Sequence, residues 1–230
     1  MAKTINIRSM KKVSDSPETL EKDLSTFPGA FESLEKSKSV IGKSRHMVAD
    51  YQALALYILA CQYDHRDCNI LEIGTYRGFS ASMIIQGAPK AFFIGLEPAP
   101  HEQDRACRNL REITEPERFR VFSVLSWKYL SSYGGPELDF IFVDGAHNQI
   151  ALDLYWWNWL KPGGLILFHD YTPVDGFKPC EPVYNTVNRF LEWLDRPADV
   201  LIVDDRKYGM LGIYKKPGDS EFEERFLDEI

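Results

Sequence analysis

The chain has 230 residues, of which 44% are hydrophobic and 27% charged, and a formal net charge of −7. These values suit one large globular domain and exclude a disordered, collagen-like or fibrous chain. The acidic balance argues against nucleic acid as a main partner, and the longest apolar run, residues 53–61, falls far short of the roughly 20 residues a membrane span needs.

Residues 1–13 are charged with no apolar stretch behind them, so no secretory signal is visible. Cys61, Cys68, Cys107 and Cys180 are irregularly spaced and form no C-x-x-C pair, which fits a reduced, cytoplasmic protein. Residues 1–45 carry nine Lys and Arg against six Asp and Glu, a net of +3, while the tail from Pro217 carries one Arg against six acids, a net of −5. The chain therefore divides into an N-terminal arm (1–44), a body (45–216) and an acidic tail (217–230). The arm is rich in Lys and Ser and weakly periodic, with one helical turn expected around 18–24. It is read as a lid or a dimer contact.

From Arg45 the pattern changes. Met47, Val48, Tyr51, Leu54, Ala55 and Ile58 recur at helical spacing and predict a helix ending near Cys61. A regular alternation follows, with strands at 69–74, 91–97, 119–125, 138–144 and 165–168. Helices at 80–86, 102–113, 127–130, 150–160 and 182–194 separate or follow them. Strands at 200–203 and 210–214 end the body, joined by a link too short for a parallel crossover. Strands apolar throughout and separated by helices predict a doubly wound, mostly parallel α/β sheet of seven strands, Rossmann-like, with an antiparallel end.

Ligands of such sheets bind beyond the carboxyl ends of the strands. After the first strand comes Glu72-Ile73-Gly74-Thr75-Tyr76-Arg77-Gly78. Its G-x-x-x-G spacing is not the G-x-G-x-x-G of dinucleotide folds, which argues against a nicotinamide dehydrogenase. The glycines permit close backbone approach to a ligand, and Glu72 would repel a pyrophosphate but welcome a cation. A plain strand-to-helix turn is the simpler alternative. Glu97, after the second strand, is placed to accept hydrogen bonds from ribose hydroxyls, unless it is merely a solvated carboxylate. Together they point to a nucleoside of positive character without phosphate.

The E-x-G-x-x-x-G turn (Glu72 to Gly78), Glu97, VDGAH (Val143 to His147) and LKPGGLILFHD (Leu160 to Asp170) resemble class I S-adenosylmethionine-dependent methyltransferases. More narrowly, they resemble the small O-methyltransferase group that includes macrocin and rhamnosyl O-methyltransferases and cephalosporin-hydroxylase-type proteins. The resemblance implies that Gly74, Thr75 and Gly78 wrap the methionine part of S-adenosylmethionine, with Glu72 near it and Glu97 on the ribose. Ser126 would sit against the adenine, although Leu125 replaces the aspartate usual before it.

Asp144 ends the fourth strand and His169-Asp170 the fifth, so neighbouring strand ends bring the three side chains to one rim. Converging carboxylates need a cation or a proton between them, and hard oxygen ligands suit Mg²⁺, Ca²⁺ or Mn²⁺. Catechol and caffeoyl-CoA O-methyltransferases, which are similar, use an aspartate and an Asp-Asn pair in these places. Asp144 and Asp170 are the preferred ligands, with His169 a third. In the alternative reading Asp144 orients a cofactor loop and His169 caps a strand. Asp153 reads as a solvated or capping residue before a partner of the site.

His147 stands beside Asp144, where the catechol-type enzymes carry a general-base lysine, and its ordinary pKa near 6.5 suits proton removal at neutral pH. The loop 171–182, with Phe177, reads as a substrate wall. The aromatic group Tyr155, Trp156, Trp157 and Trp159 reads as core or subunit interface. The expected function is metal-assisted methyl transfer from S-adenosylmethionine to a hydroxyl of a small molecule: a sugar, a phenol or a natural product. The alternatives are a metal-independent O- or N-methyltransferase using His147 alone, and a catalytically silent cofactor-binding assembly subunit.

Overall fold

The computed structural model describes residues 27, 29–42, 48–171, 180–204 and 207–223. The helical turn expected at 18–24, residues 172–179 of the proposed substrate wall (Phe177 among them) and the end of the tail lie outside the described residues. Two helices come first, α1 (Ala30–Ile41) and α2 (Asp50–Ala60). The alternating body then runs β1 (Asn69–Ile73), α3 (Phe79–Gly87), β2 (Phe92–Leu96), α4 (Pro100–Arg111), β3 (Phe119–Phe122), α5 (Ser126–Leu130) and β4 (Leu138–Val143). It closes with α6 (Ile150–Asp153), a 3-10 segment (Leu154–Trp159), β5 (Leu160–Phe168), α7 (Glu181–Trp193), β6 (Val200–Asp204) and β7 (Lys207–Tyr214).

The strand order is β3-β2-β1-β4-β5-β7-β6. Strands β1 to β5 are parallel to one another, and β7 runs antiparallel to both β5 and β6. The doubly wound sheet expected from the sequence is thus observed. The continuous apolar strands bury both faces, and their alternation decides which core each side chain enters. Ile70, Phe93, Phe140, Phe142, Leu165 and Leu167 join the core under α1, α2 and α3. Leu71, Ile94, Ile141, Val143, Ile166 and Phe168 face the opposite core, with Trp156, Trp157 and Phe190.

Three features differ from expectation. The arm contains a 12-residue helix, α1, whose buried side carries Ala30, Ser33, Leu34 and Ser37. Half of that face is serine, so its hydrophobic periodicity is faint. A polar network holds it: Ser37 Oγ donates to Ser33 O at 2.7 Å, Ser82 Oγ donates to Ser37 Oγ at 2.7 Å, and Gln86 Nε2 donates to Ser37 Oγ at 3.0 Å. The helix expected at 150–160 is α-helical only to Asp153, and the tighter 3-10 winding beyond it leads straight into a longer β5. The start of the acidic tail, for which the sequence suggests no structure, is docked. Asn158 exchanges two hydrogen bonds with the Phe222 backbone (2.6 and 3.0 Å), and the Phe222 ring packs against Tyr155, Phe190 and Trp193. No helix of the described residues is long and apolar enough to cross a membrane.

Candidate active site

The turn after β1 is fixed from both sides. Gly74 and Thr75 N–H donate to Leu96 O at 2.9 and 3.1 Å, tying the turn to the end of β2. Gly74 has φ +90°, and a Cβ there would lie 2.1 Å from the Asp144 carbonyl oxygen, so only glycine lets the turn lie against the rim of β4. Tyr76 N–H donates to Glu97 Oε2 and Ala99 N–H to Glu97 Oε1, both at 2.9 Å. Glu97 therefore joins the glycine turn to the start of α4. Arg77 grips Glu102 with two bonds of 2.8 and 3.1 Å, which pins the far side of the turn.

Glu72 is 0% exposed, and neither of its carboxylate oxygens has an aligned hydrogen bond. The buried Thr75 hydroxyl beside it is likewise without one. Burial pushes the Glu72 carboxyl up to about 8; the Ser80 and Thr75 hydroxyls oppose this, and the Asp144 and Glu97 charges add to it. A buried acid next to a tight glycine turn, its oxygens without an aligned hydrogen bond, fits a cationic ligand.

Asp144 N–H donates to Ile73 O at 2.8 Å and His169 N–H to Val143 O at 2.9 Å, so both residues prolong the ladder of β1, β4 and β5. This continuation brings the strand ends to one rim. His169 Nδ1 lies 3.0 Å from Asp144 Oδ1 and 3.1 Å from Asp170 Oδ2, without the alignment of a hydrogen bond to either. The ligand-type atoms of Asp144, His169 and Asp170 all fall within 4.8 Å of one another. Burial disfavours the charged imidazole, but the two carboxylates outweigh it and raise His169 to about 10. Asp170 takes φ +55°, a left-handed conformation that aspartate tolerates better than most residues. Although burial opposes it, the hydrogen bond from His147 and the neighbouring His169 ring hold the Asp170 carboxyl well below the usual range.

His147 reaches Asp170 rather than Asp144: its Nε2 lies 2.9 Å from Asp170 Oδ2. Ser126 begins α5 as expected, but its hydroxyl accepts the Trp156 indole N–H at 2.8 Å. Asp153 is not the solvated residue read from the sequence. It is 2% exposed, and burial pushes its carboxyl up to about 7 against the Ser126 hydroxyl. A recess of about 10 Å³, room for one water, is lined by Asp144, His147, Asp153 and His169 with Ile150 and Val183. Trp156 and Trp157 are fully buried, so they belong to the core. One contact escaped the sequence altogether. Gln52, in the first turn of α2, presents Oε1 to His169 Nε2 at 3.3 Å. Nothing in its spacing signals a partner 117 residues away.

The family model for a methyltransferase domain matches residues 71–171, from β1 through the rim aspartates. The matched span has the sequence pattern of a methyltransferase domain. The resemblance carried by the sequence motifs is thereby borne out. Solved structures share the fold over most of this chain's length. A Klebsiella pneumoniae protein provisionally assigned as an O-methyltransferase has a TM-score of 0.65 at 22% identity, covering 89% of this chain and 97% of that one. A Bacillus cereus O-methyltransferase in complex with SAH has a TM-score of 0.63 at 21% identity, covering 86% and 97%. The Streptomyces achromogenes O-methyltransferase TomG, in complex with SAM, has a TM-score of 0.61 at 19% identity, covering 86% and 96%. No curated protein sequence matches the chain significantly.

Proposed function

We propose that the methyltransferase moves a methyl group from S-adenosylmethionine to a hydroxyl of a small molecule, assisted by a divalent cation. The observation that carries this reading is the convergence of His169 Nδ1 with the Asp144 and Asp170 oxygens beside the glycine turn. Donor atoms about 3 Å apart match the edge of a coordination shell whose bonds are roughly 2.0–2.2 Å long, and Nδ1 is a buried atom without an aligned hydrogen bond. The residues present therefore fit a cation such as Mg²⁺ or Mn²⁺. The O-methyltransferase descriptions of the similar solved structures agree with hydroxyl as the acceptor.

When bound, S-adenosylmethionine supplies an electrophilic methyl on sulfur, and a cation would lower the pKa of an acceptor oxygen. The chain's residues do the rest. Glu72 ionises against the positive charge of the cofactor. Each Glu97 oxygen accepts one backbone N–H and keeps a second lone-pair site for a ribose hydroxyl. The Ser126 hydroxyl is already engaged by Trp156, so an adenine contact at this position falls to the main chain. Asp144, His169 and Asp170 would hold the cation, which would help position an acceptor oxygen at this rim. His147 would take the proton from the acceptor hydroxyl as the methyl is transferred.

A second reading has its own support. Protonated His169 would offset one of the two carboxylate charges of Asp144 and Asp170 without a cation, leaving a metal-independent enzyme with His147 as base. Turnover of a panel of vicinal diols and catechols, with Mg²⁺ and with chelator, separates the two. Product only with Mg²⁺ supports the proposal, equal product in chelator supports the second reading, and no product from any acceptor favours a silent cofactor-binding subunit.

A further inference from the structure

Gln52 lies far from the rim motifs in sequence and is 1% exposed, on the first turn of α2. Its Oε1 accepts the Ala49 backbone N–H at 2.9 Å and stands 3.3 Å from His169 Nε2. An amide oxygen can only accept, so the ring nitrogen facing it must carry the proton. The bond from Ala49 N–H fixes which end of the amide is oxygen, and thereby fixes that assignment. With Nε2 protonated, the electron pair of a neutral His169 ring resides on Nδ1, which faces Asp144 and Asp170. The edge of the ring packs against Phe142, whose centroid lies 6.1 Å away at 84°, and this limits rotation about the ring axis.

We propose that Gln52 is a positioning residue of the cation site: it selects the His169 tautomer whose Nδ1 can bind a metal, and so sets the affinity of the site. This rests on the metal-assisted reading above. Histidine ligands are commonly oriented by a carbonyl or carboxylate behind the ring, and loss of that partner typically costs about 10–100-fold in metal affinity. Here the partner comes from a helix preceding the sheet, so α2 would be coupled to a site built on β4 and β5.

The test is Mn²⁺ binding to the full chain, followed by electron paramagnetic resonance, for wild type, Gln52→Leu and Gln52→Glu. Melting temperatures of the chelator-treated proteins serve as the control for folding. The expected result is one site in wild type, about 10–100-fold weaker binding in Gln52→Leu, and binding retained or strengthened in Gln52→Glu, whose carboxylate can accept both N–H groups. Wild-type affinity in a folded Gln52→Leu would overturn the role of Gln52 while leaving the metal reading intact. If Gln52→Leu does not fold, a fall of tenfold or more in Gln52→Glu overturns it instead. Absence of Mn²⁺ binding in wild type overturns both, and is distinguished by that result alone.

Discussion

His147 Nε2 and Asp170 Oδ2 stand 2.9 Å apart across the rim of β4 and β5. The 3-10 turn that carries His147 follows β4, and the left-handed backbone of Asp170 turns its carboxylate toward the ring. The contact joins the proposed base to a proposed cation ligand. An Nε2–H donated to Asp170 leaves Nδ1 of His147 as the accepting nitrogen.

Replacing His147 with Ala should lower kcat by about 100-fold or more, the usual scale for a positioned base. Cofactor affinity should stay within a few-fold, because Leu96, Glu97 and Glu102 hold the glycine turn. Steady-state kinetics beside calorimetric titration with S-adenosylhomocysteine checks both halves.

Glu72 gives a pH-dependent prediction. Its folded pKa, about 8, lies above the ordinary 4.5. Its contribution to the stability of the cofactor-free protein is therefore full below about pH 4.5 and is lost as pH rises through 8. A cationic cofactor favours the ionised form, so binding between these limits should release a proton. Calorimetry at pH 7 in buffers of different ionisation enthalpy should show that release in wild type and not in Glu72→Gln. The variant should also bind S-adenosylmethionine at least tenfold more weakly.

Gly74→Ala should destabilise the fold by about 3 kcal/mol or more, since φ is +90° and the new Cβ would meet the Asp144 carbonyl. Urea denaturation measures the loss. A change below about 0.5 kcal/mol would mean that the turn can move away from β4 at little cost.

Phe222→Ala should cost about 3–5 kcal/mol, the range for emptying a buried phenylalanine site. The side chain is 2% exposed and fills a pocket among Tyr155, Phe190 and Trp193. Denaturation by urea would reveal this, and a neutral result would mean that the tail does not stay docked.

The sheet and its rim were legible because their signals are local. NILEIG, FFIGL and LDFIFV are continuous apolar strands, and each carries its site residue at or just beyond the carboxyl end. Helix α1 was not legible, because serines occupy half of its buried face and hydrogen bonding does part of the packing. The docked tail was hidden for a similar reason: one phenylalanine among acids gives no period. The burial of Asp153 beside Ser126 is not legible, because its distance from Asp144 in sequence does not reveal it. Gln52 and the pairing of His147 with Asp170 depend on tertiary placement alone.

The central claim is that Asp144, His169 and Asp170 hold a divalent cation used in methyl transfer. The most direct measurement titrates chelator-stripped protein with Mn²⁺ and follows turnover of a diol or catechol acceptor in the same samples, for wild type and Asp144→Ala/Asp170→Ala. The expected result is one bound Mn²⁺ per wild-type chain, turnover that rises with occupancy, and loss of both in the double variant. Turnover in the stripped wild type equal to that of the metal-loaded enzyme, or unchanged in the double variant, would contradict it.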